Sequence, residues 1–227
     1  MTREHYDELL RQLDDQLLQM GDVVATTIES SVDALDRGDA AEAQRLIEGD
    51  NAIDDKRYDI EEAALVLIAT QQPLASDLRI IASILTIATE LERIGDYCEG
   101  IARLTLRMAA EPIDPPMKDI RPMAELTQKL LRRSLQAFKD RDLEVAGAVW
   151  IQDSRIDNLY SQVFRDLLAE MAQKPETIRG GTYLLWVAHN IERMADRVTN
   201  IAERVAFIVT GNVAPFRERL RAQTLPG

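Results

Sequence analysis

One cysteine in 227 residues, Cys98, has no partner for an intramolecular disulfide. Packing alone must then hold the fold, and a reducing compartment is implied. That thiol and two histidines are too few for a structural zinc site, which draws its ligands from both types. Aromatics make up only 5% of the chain, while Ala, Leu, Ile, Arg, Glu and Asp dominate, an alphabet that suits long helices rather than sheets. No stretch approaches the ~18 to 20 apolar residues that cross a bilayer; the nearest are Ala63 to Ala69 and Ile80 to Ala88. Met1 to Leu10 lacks the apolar segment of a secretory signal, so a cytoplasmic location without membrane insertion is expected. With 39 acidic against 27 basic residues the formal net charge is -12, which argues against direct nucleic-acid binding, since that rests on clustered Lys and Arg. Gly-rich phosphate loops, HExxH, GxSxG and CxxC are absent. So are the Glu-x-x-His pairs of di-iron bundles, and the chain is expected not to be an enzyme.

What is present is helix punctuation. Gly, Pro and Asp clusters fall at Arg37-Gly38-Asp39, Gln72-Pro73, Pro112 to Pro116, Asp140 to Asp142, Lys174-Pro175 and Gly211 to Pro215. They predict six helices, over 3–36, 39–70, 74–109, 117–140, 142–173 and 176–210. Helices of that size are rods of roughly 48 Å at 1.5 Å per residue.

The second three helices repeat the first three. Arg79, Glu92, Arg93, Asp96, Ile101 and Ala102 recur 100 residues later as Arg179, Glu192, Arg193, Asp196, Ile201 and Ala202. Ser31, Ala34, Asp39, Asp50 and Asp54 recur 103 residues later as Ser134, Ala137, Asp142, Asp153 and Asp157. Helix three carries a coiled-coil seam, Ile80, Ile84, Ile87, Leu91, Ile94, Cys98 and Ile101, and helix six copies it from Leu184 to Ile208. Helix two offers Leu46, Ile53, Ile60 and Leu67 at sevens. Such seams close only against other helices, so the expected fold is all-α, two tandem three-helix bundles over 1–111 and 117–211. A disordered tail is expected over 212–227.

Four acidic pairs stand at i,i+4: Asp50 with Asp54, Glu92 with Asp96, Asp153 with Asp157, and Glu192 with Asp196. That spacing stacks two carboxylates on one helix face, where they repel by a few tenths of a kcal/mol. Glu92 and Asp96 fall outside the seam, and Asp50 and Asp54 flank Ile53. If helices two and three are neighbours, about four carboxylates meet in each half, a hard-oxygen set suited to a divalent or trivalent metal. The alternative is a solvated acidic face with Arg93 and Arg193 as counter-charges, its repetition preserved by duplication alone. His189 lies one turn before Glu192 and reads as an exposed helix histidine; Trp150 and Trp186 read as core or edge residues. Cys98 reads as a buried seam residue, and Arg217, Arg219 and Arg221 as part of the disordered tail.

Gln72-Pro73-Leu74-Ala75-Ser76-Asp77-Leu78-Arg79 followed by Glu92-Arg93-Ile94-Gly95-Asp96 resembles the signature of PhoU proteins, and Asn190 to Asp196 resembles its second-half counterpart. The similarity runs from about Tyr6 to Thr210. It implies pseudo-twofold symmetry between the bundles and a negative regulator of phosphate uptake and the phosphate-starvation response. As partners it implies a phosphate ABC transporter ATPase and a sensor histidine kinase, with a homodimer left open. It also implies multinuclear iron, zinc or manganese clusters, carried over to Asp50, Asp54, Glu92, Asp96, Asp153, Asp157, Glu192 and Asp196. The sequence departs from the family at Gly100, where Asn is frequent and Asn200 keeps it, and at Tyr97 and Arg197, where His is common. A metal-free helical scaffold and a carboxylate-bridged metal-dependent hydrolase are the alternatives.

Overall fold

The computed structural model describes residues 3–110 and 119–224; the linker expected around Pro112 to Pro116 lies outside them. The helices are α1 (Arg3–Arg37), α2 (Ala40–Gly49), α3 (Asn51–Gln71), α4 (Ala75–Ala109), α5 (Ile120–Asp140), α6 (Leu143–Gln173), α7 (Ile178–Thr210) and α8 (Ala214–Thr224), with one 3-10 turn at Pro175–Thr177. No strand occurs among the described residues, and none of the helices is long and apolar enough to cross a membrane.

The duplicated punctuation acts alike in both halves. Asp39 accepts a hydrogen bond from the Glu42 amide at 2.9 Å, and Asp142 accepts from Glu144 at 2.9 Å and Val145 at 3.0 Å. Each satisfies amides that a helix start leaves open. Asp39→Ala and Asp142→Ala are each expected to lower unfolding free energy by ~1 kcal/mol, read as a fall in urea midpoint. The left-handed residue that ends the preceding helix is Gly38 in one half (φ 63) and Arg141 in the other (φ 55). A side chain at that φ is strained, and Arg141 offsets the strain by donating to the Phe138 carbonyl at 2.7 Å and to Asp14 at 3.2 Å.

Helix two of the first half departs from expectation by breaking at Asp50 into α2 and α3, while α6 runs unbroken through Asp153. Gly49 precedes the break, where the second half has Gln152, and glycine is the weaker helix former by roughly 0.5 to 1 kcal/mol. A second departure lies in the segment from Asn212 on, expected to be disordered. Ala214–Thr224 forms α8, with Phe216 and Leu220 buried and Arg217 paired to Glu203. The two apolar residues are four apart, one helical turn, which gives even this short segment a face to bury.

Each half closes as its seams require, α1 with α2, α3 and α4, and α5 with α6 and α7. Ile84, Ile87, Leu91, Ile94 and Ile101 of α4 are fully buried, as are their counterparts Leu184, Val187, Ile191, Met194 and Ile201 of α7. The halves join along α4 against α7 and α1 against α5. A Cβ on Gly100 would come within 2.9 Å of Asn190 Nδ2, and Asn200 and Arg197 donate to Glu90 at 3.2 and 3.3 Å. Low numbers on α4 therefore meet high numbers on α7, an antiparallel crossing whose pseudo-dyad exchanges the Gly100 contact with the Asn200 contact. On the other flank Arg121 bonds Asp33 and Asp36, and Gln128 donates to the Ala25 carbonyl.

Candidate functional site

Because helices two and three of each half pack side by side, the two acidic pairs of each half lie within range of one another's charge. Asp50 feels the charges of Glu99, Asp96, Asp54 and Glu92. Asp153 feels those of Asp157, Asp196 and Glu192. Partial burial, and then this crowding, raise the Asp50 and Asp153 carboxyls from 3.8 to about 6. Glu92, Asp96, Asp157 and Glu192 move upward as well, with burial the largest cause in each. All eight sequence-predicted residues thus fall into two groups, one at the α2–α3 junction against α4 and one on α6 against α7.

At Gly95 a Cβ would lie 3.3 Å from Asp50 Oδ1 and 3.1 Å from Ile53 Cδ1, so a side chain there would require those two side chains to give by a few tenths of an ångström; the matching position in α7 is Ala195. Two residues escaped the sequence reading. Glu99 joins the first group, raising Asp50 and Asp96 while pairing with Arg103; its counterpart Thr199 offers Asp153 a hydroxyl that opposes the upward shift. The available signal was spacing, since Glu99 stands seven residues after Glu92 and three after Asp96, on the same helix face.

Basic groups border both clusters. Arg193 donates to Asp196 at 2.7 Å, and a hydrogen bond with Tyr97 of α4 raises its own affinity for a proton. Arg57, Thr89, Glu92, Arg93, Asp96 and Tyr97 line an open concavity of about 380 Å³. The departures at Tyr97, Gly100 and Arg197 therefore have a structural role, since all three residues sit at the α4–α7 crossing. His189 is exposed as expected, its Nδ1 3.6 Å from Glu192 Oε2. Burial pushes the Cys98 thiol far upward, in keeping with an inert seam residue. Trp150 packs partly buried against the core, but Trp186 is 53% exposed, contrary to its expected core or edge place.

Among the described residues no three His, Cys, Asp or Glu side chains already stand close enough to hold an ion. The donor set nevertheless fits a hard cation. Every predicted ligand is a carboxylate, and Glu192 Oε2 is buried with no hydrogen-bond partner, a deficit that a ligand would remove.

The raised carboxyls fix the sign of a pH effect. A folded-state pKa of about 6 against an ordinary 3.8 means the folded protein holds these protons more tightly than the unfolded chain. Their contribution is full below 3.8 and is lost as pH rises through 6. The melting temperature of metal-free protein is expected to fall across that window, and the slope to flatten in an Asp50→Asn/Asp153→Asn variant. Thermal melts by circular dichroism at stepped pH read both.

A PhoU domain model matches residues 17–105 and again 120–205, the two halves just described. The phosphate-specific transport system accessory protein PhoU homolog of Caulobacter vibrioides is 37% identical over 211 residues, 92% of each chain. That of Rhizobium meliloti is 37% identical over 207 residues, 91% of this chain and 87% of its own. Among solved structures, PhoU from Pseudomonas aeruginosa superposes with a TM-score of 0.87 at 32% identity, covering 91% of this chain and 100% of that one. The phosphate transport system regulatory protein PhoU from Streptococcus pneumoniae gives 0.86 at 30%, covering 92% and 98%.

Proposed function

From the premise that this chain belongs to the PhoU family, we propose that it is a cytoplasmic accessory protein of phosphate transport which restrains phosphate uptake and the phosphate-starvation response. It acts as an adaptor, holding metal on its paired acidic groups and meeting the cytoplasmic parts of a phosphate ABC transporter ATPase and a sensor histidine kinase. The observation that supports this best is the gathering of all eight predicted carboxylates into two groups related by the pseudo-dyad.

The chemistry follows from charge. A hard divalent or trivalent cation bound by Asp50, Asp54, Glu92 and Asp96, or by Asp153, Asp157, Glu192 and Asp196, supplies the positive charge that their repulsion calls for. The chain's own residues position those ligands. The α2–α3 junction packs on α4, and Arg193 orients Asp196. The long helices form rigid surfaces suited to contacts with partner helices.

A pulldown under phosphate-replete conditions, with the tagged chain against transporter ATPase and sensor kinase, tests the role. Retention of either is expected; loss of both refutes the adaptor. Size measurement of the purified chain decides whether it works as a homodimer.

A further inference from the structure

We propose that the groove of α6 and α7 now holding α8 is a docking site for a basic amphipathic helix of a partner protein, with α8 the built-in competitor. It rests on the accessory role proposed above and adds to it the surface and the kind of segment recognised.

The way α8 sits defines what the groove accepts. Phe216 and Leu220 are buried one turn apart, against Gly147 of α6. The Cβ position of that glycine lies 3.4 Å from Leu220 Cδ2 and 3.8 Å from Phe216 Cε2. Between these anchors Arg217 makes a two-pronged ion pair with Glu203 of α7, a carboxylate only 5% exposed. The groove therefore takes two apolar side chains at i and i+4 and a guanidinium or ammonium at i+1, the pattern of helix-in-groove recognition.

Three observations set this groove apart from ordinary packing of a chain end. First, it is absent from the other half of the duplication. Leu143, Gly147, Ala148 and Ile151 correspond to Ala40, Gln44, Arg45 and Glu48, and Glu203 corresponds to Arg103. Where the first half is polar and solvated, the second has an apolar trough with a buried acid.

Second, α8 does not fill it: an open space of about 330 Å³ remains among Leu143, Glu144, Gly147, Ala148, Ile151, Arg219 and Leu220. A helix with a longer apolar stripe gains contacts there that α8 lacks. Third, once α8 leaves, taking Arg217 and Arg219 with it, two carboxylates that faced it, Glu144 and Glu203, are left on the groove. A basic helix is the complement of that pair, and complementarity of this kind selects partners and speeds encounter.

Release is within reach of ordinary local opening. α8 hangs on Gly211, Asn212 and Val213, with Gly211 left-handed at φ 76, and its tether makes it an intramolecular competitor that a partner must displace.

The probe is a fluorescein-labelled peptide of residues 212–224. Wild-type chain, its groove filled, is expected to bind it weakly. A full-length Arg217→Glu variant and a Phe216→Ala/Leu220→Ala variant, both with wild-type helicity by circular dichroism, are expected to bind at least about tenfold tighter. Adding Glu203→Gln to the second should remove most of that gain, and oxidised Gly147→Cys/Leu220→Cys, which pins α8 down, should abolish binding. Equal peptide binding by wild-type and released chains overturns the groove as a helix site.

In the pulldown on the phosphate transporter ATPase, released chains should retain more and the pinned chain less. Retention indifferent to both changes overturns the partner assignment. Released chains that pair by exchanging α8, seen as a doubled mass, make a second copy the occupant and overturn it as well. If the wild type retains no ATPase under any condition, the adaptor role fails, while the peptide titration still decides the groove.

Discussion

Asp96→Ala combined with Asp196→Ala is expected to strip natively purified protein of bound iron, zinc or manganese, measured by elemental analysis against the parent. Each substitution removes a carboxylate from the middle of one cluster: Asp96 lies within the fields of Asp50 and Glu92, Asp196 within those of Asp153, Asp157 and Glu192. Loss of an outer hydrogen-bond partner alone costs a metal site roughly 10- to 100-fold in affinity, and loss of a ligand should exceed that. Stability should move the opposite way. With chelator present, the same variant is relieved of like charge and is expected to melt above its parent near neutral pH. A solvated acidic face gives another result: no metal in the parent, and none to lose.

Glu90→Ala is expected to lower unfolding free energy by about 3 kcal/mol, the low end for removing one partner of a buried ion pair. Glu90 and Arg197 are each 14% exposed and lie 3.3 Å apart across the α4–α7 crossing. Arg197 Nε already lacks a hydrogen-bond partner, and Asn200 loses its acceptor on Glu90 in the same step. For a chain of this size the loss corresponds to a fall of roughly 6 to 12 °C in melting temperature. The damage should come from the orphaned guanidinium rather than from the missing contact. Glu90→Leu with Arg197→Met, which fills the same space without charge, should then recover to within ~1 kcal/mol of the parent. A single variant as stable as the parent would mean that solvent reaches Arg197 freely at the crossing.

Much of this was legible in one dimension, for reasons that particular residues make plain. A seam such as Ile84, Ile87, Leu91 and Ile94 can be satisfied only by another helix, so periodicity predicts the bundle before any coordinate does. Local chemistry also reads directly: Asp39 and Asp142 cap their helices, since an N-cap depends on the residues just following it. The acidic pairs were legible because i,i+4 is a distance as well as a spacing. Glu99 was passed over because its spacing, three from Asp96, matters only once α3 is known to lie against that face.

Amino-acid order alone determined most of the helices, the duplication, the apolar seams and which carboxylates stand together on one helix, because each depends largely on neighbours within a turn or two; the break at Asp50 and α8 were the exceptions. Only the tertiary structure decided that the pairs of adjacent helices converge in two clusters and that Tyr97, Gly100 and Arg197 serve the antiparallel crossing. It alone decided, too, that Phe216 and Leu220 find a groove beside buried Glu203. Those outcomes turn on which surfaces meet between residues as far as 110 apart in the chain, and no local propensity carries that information.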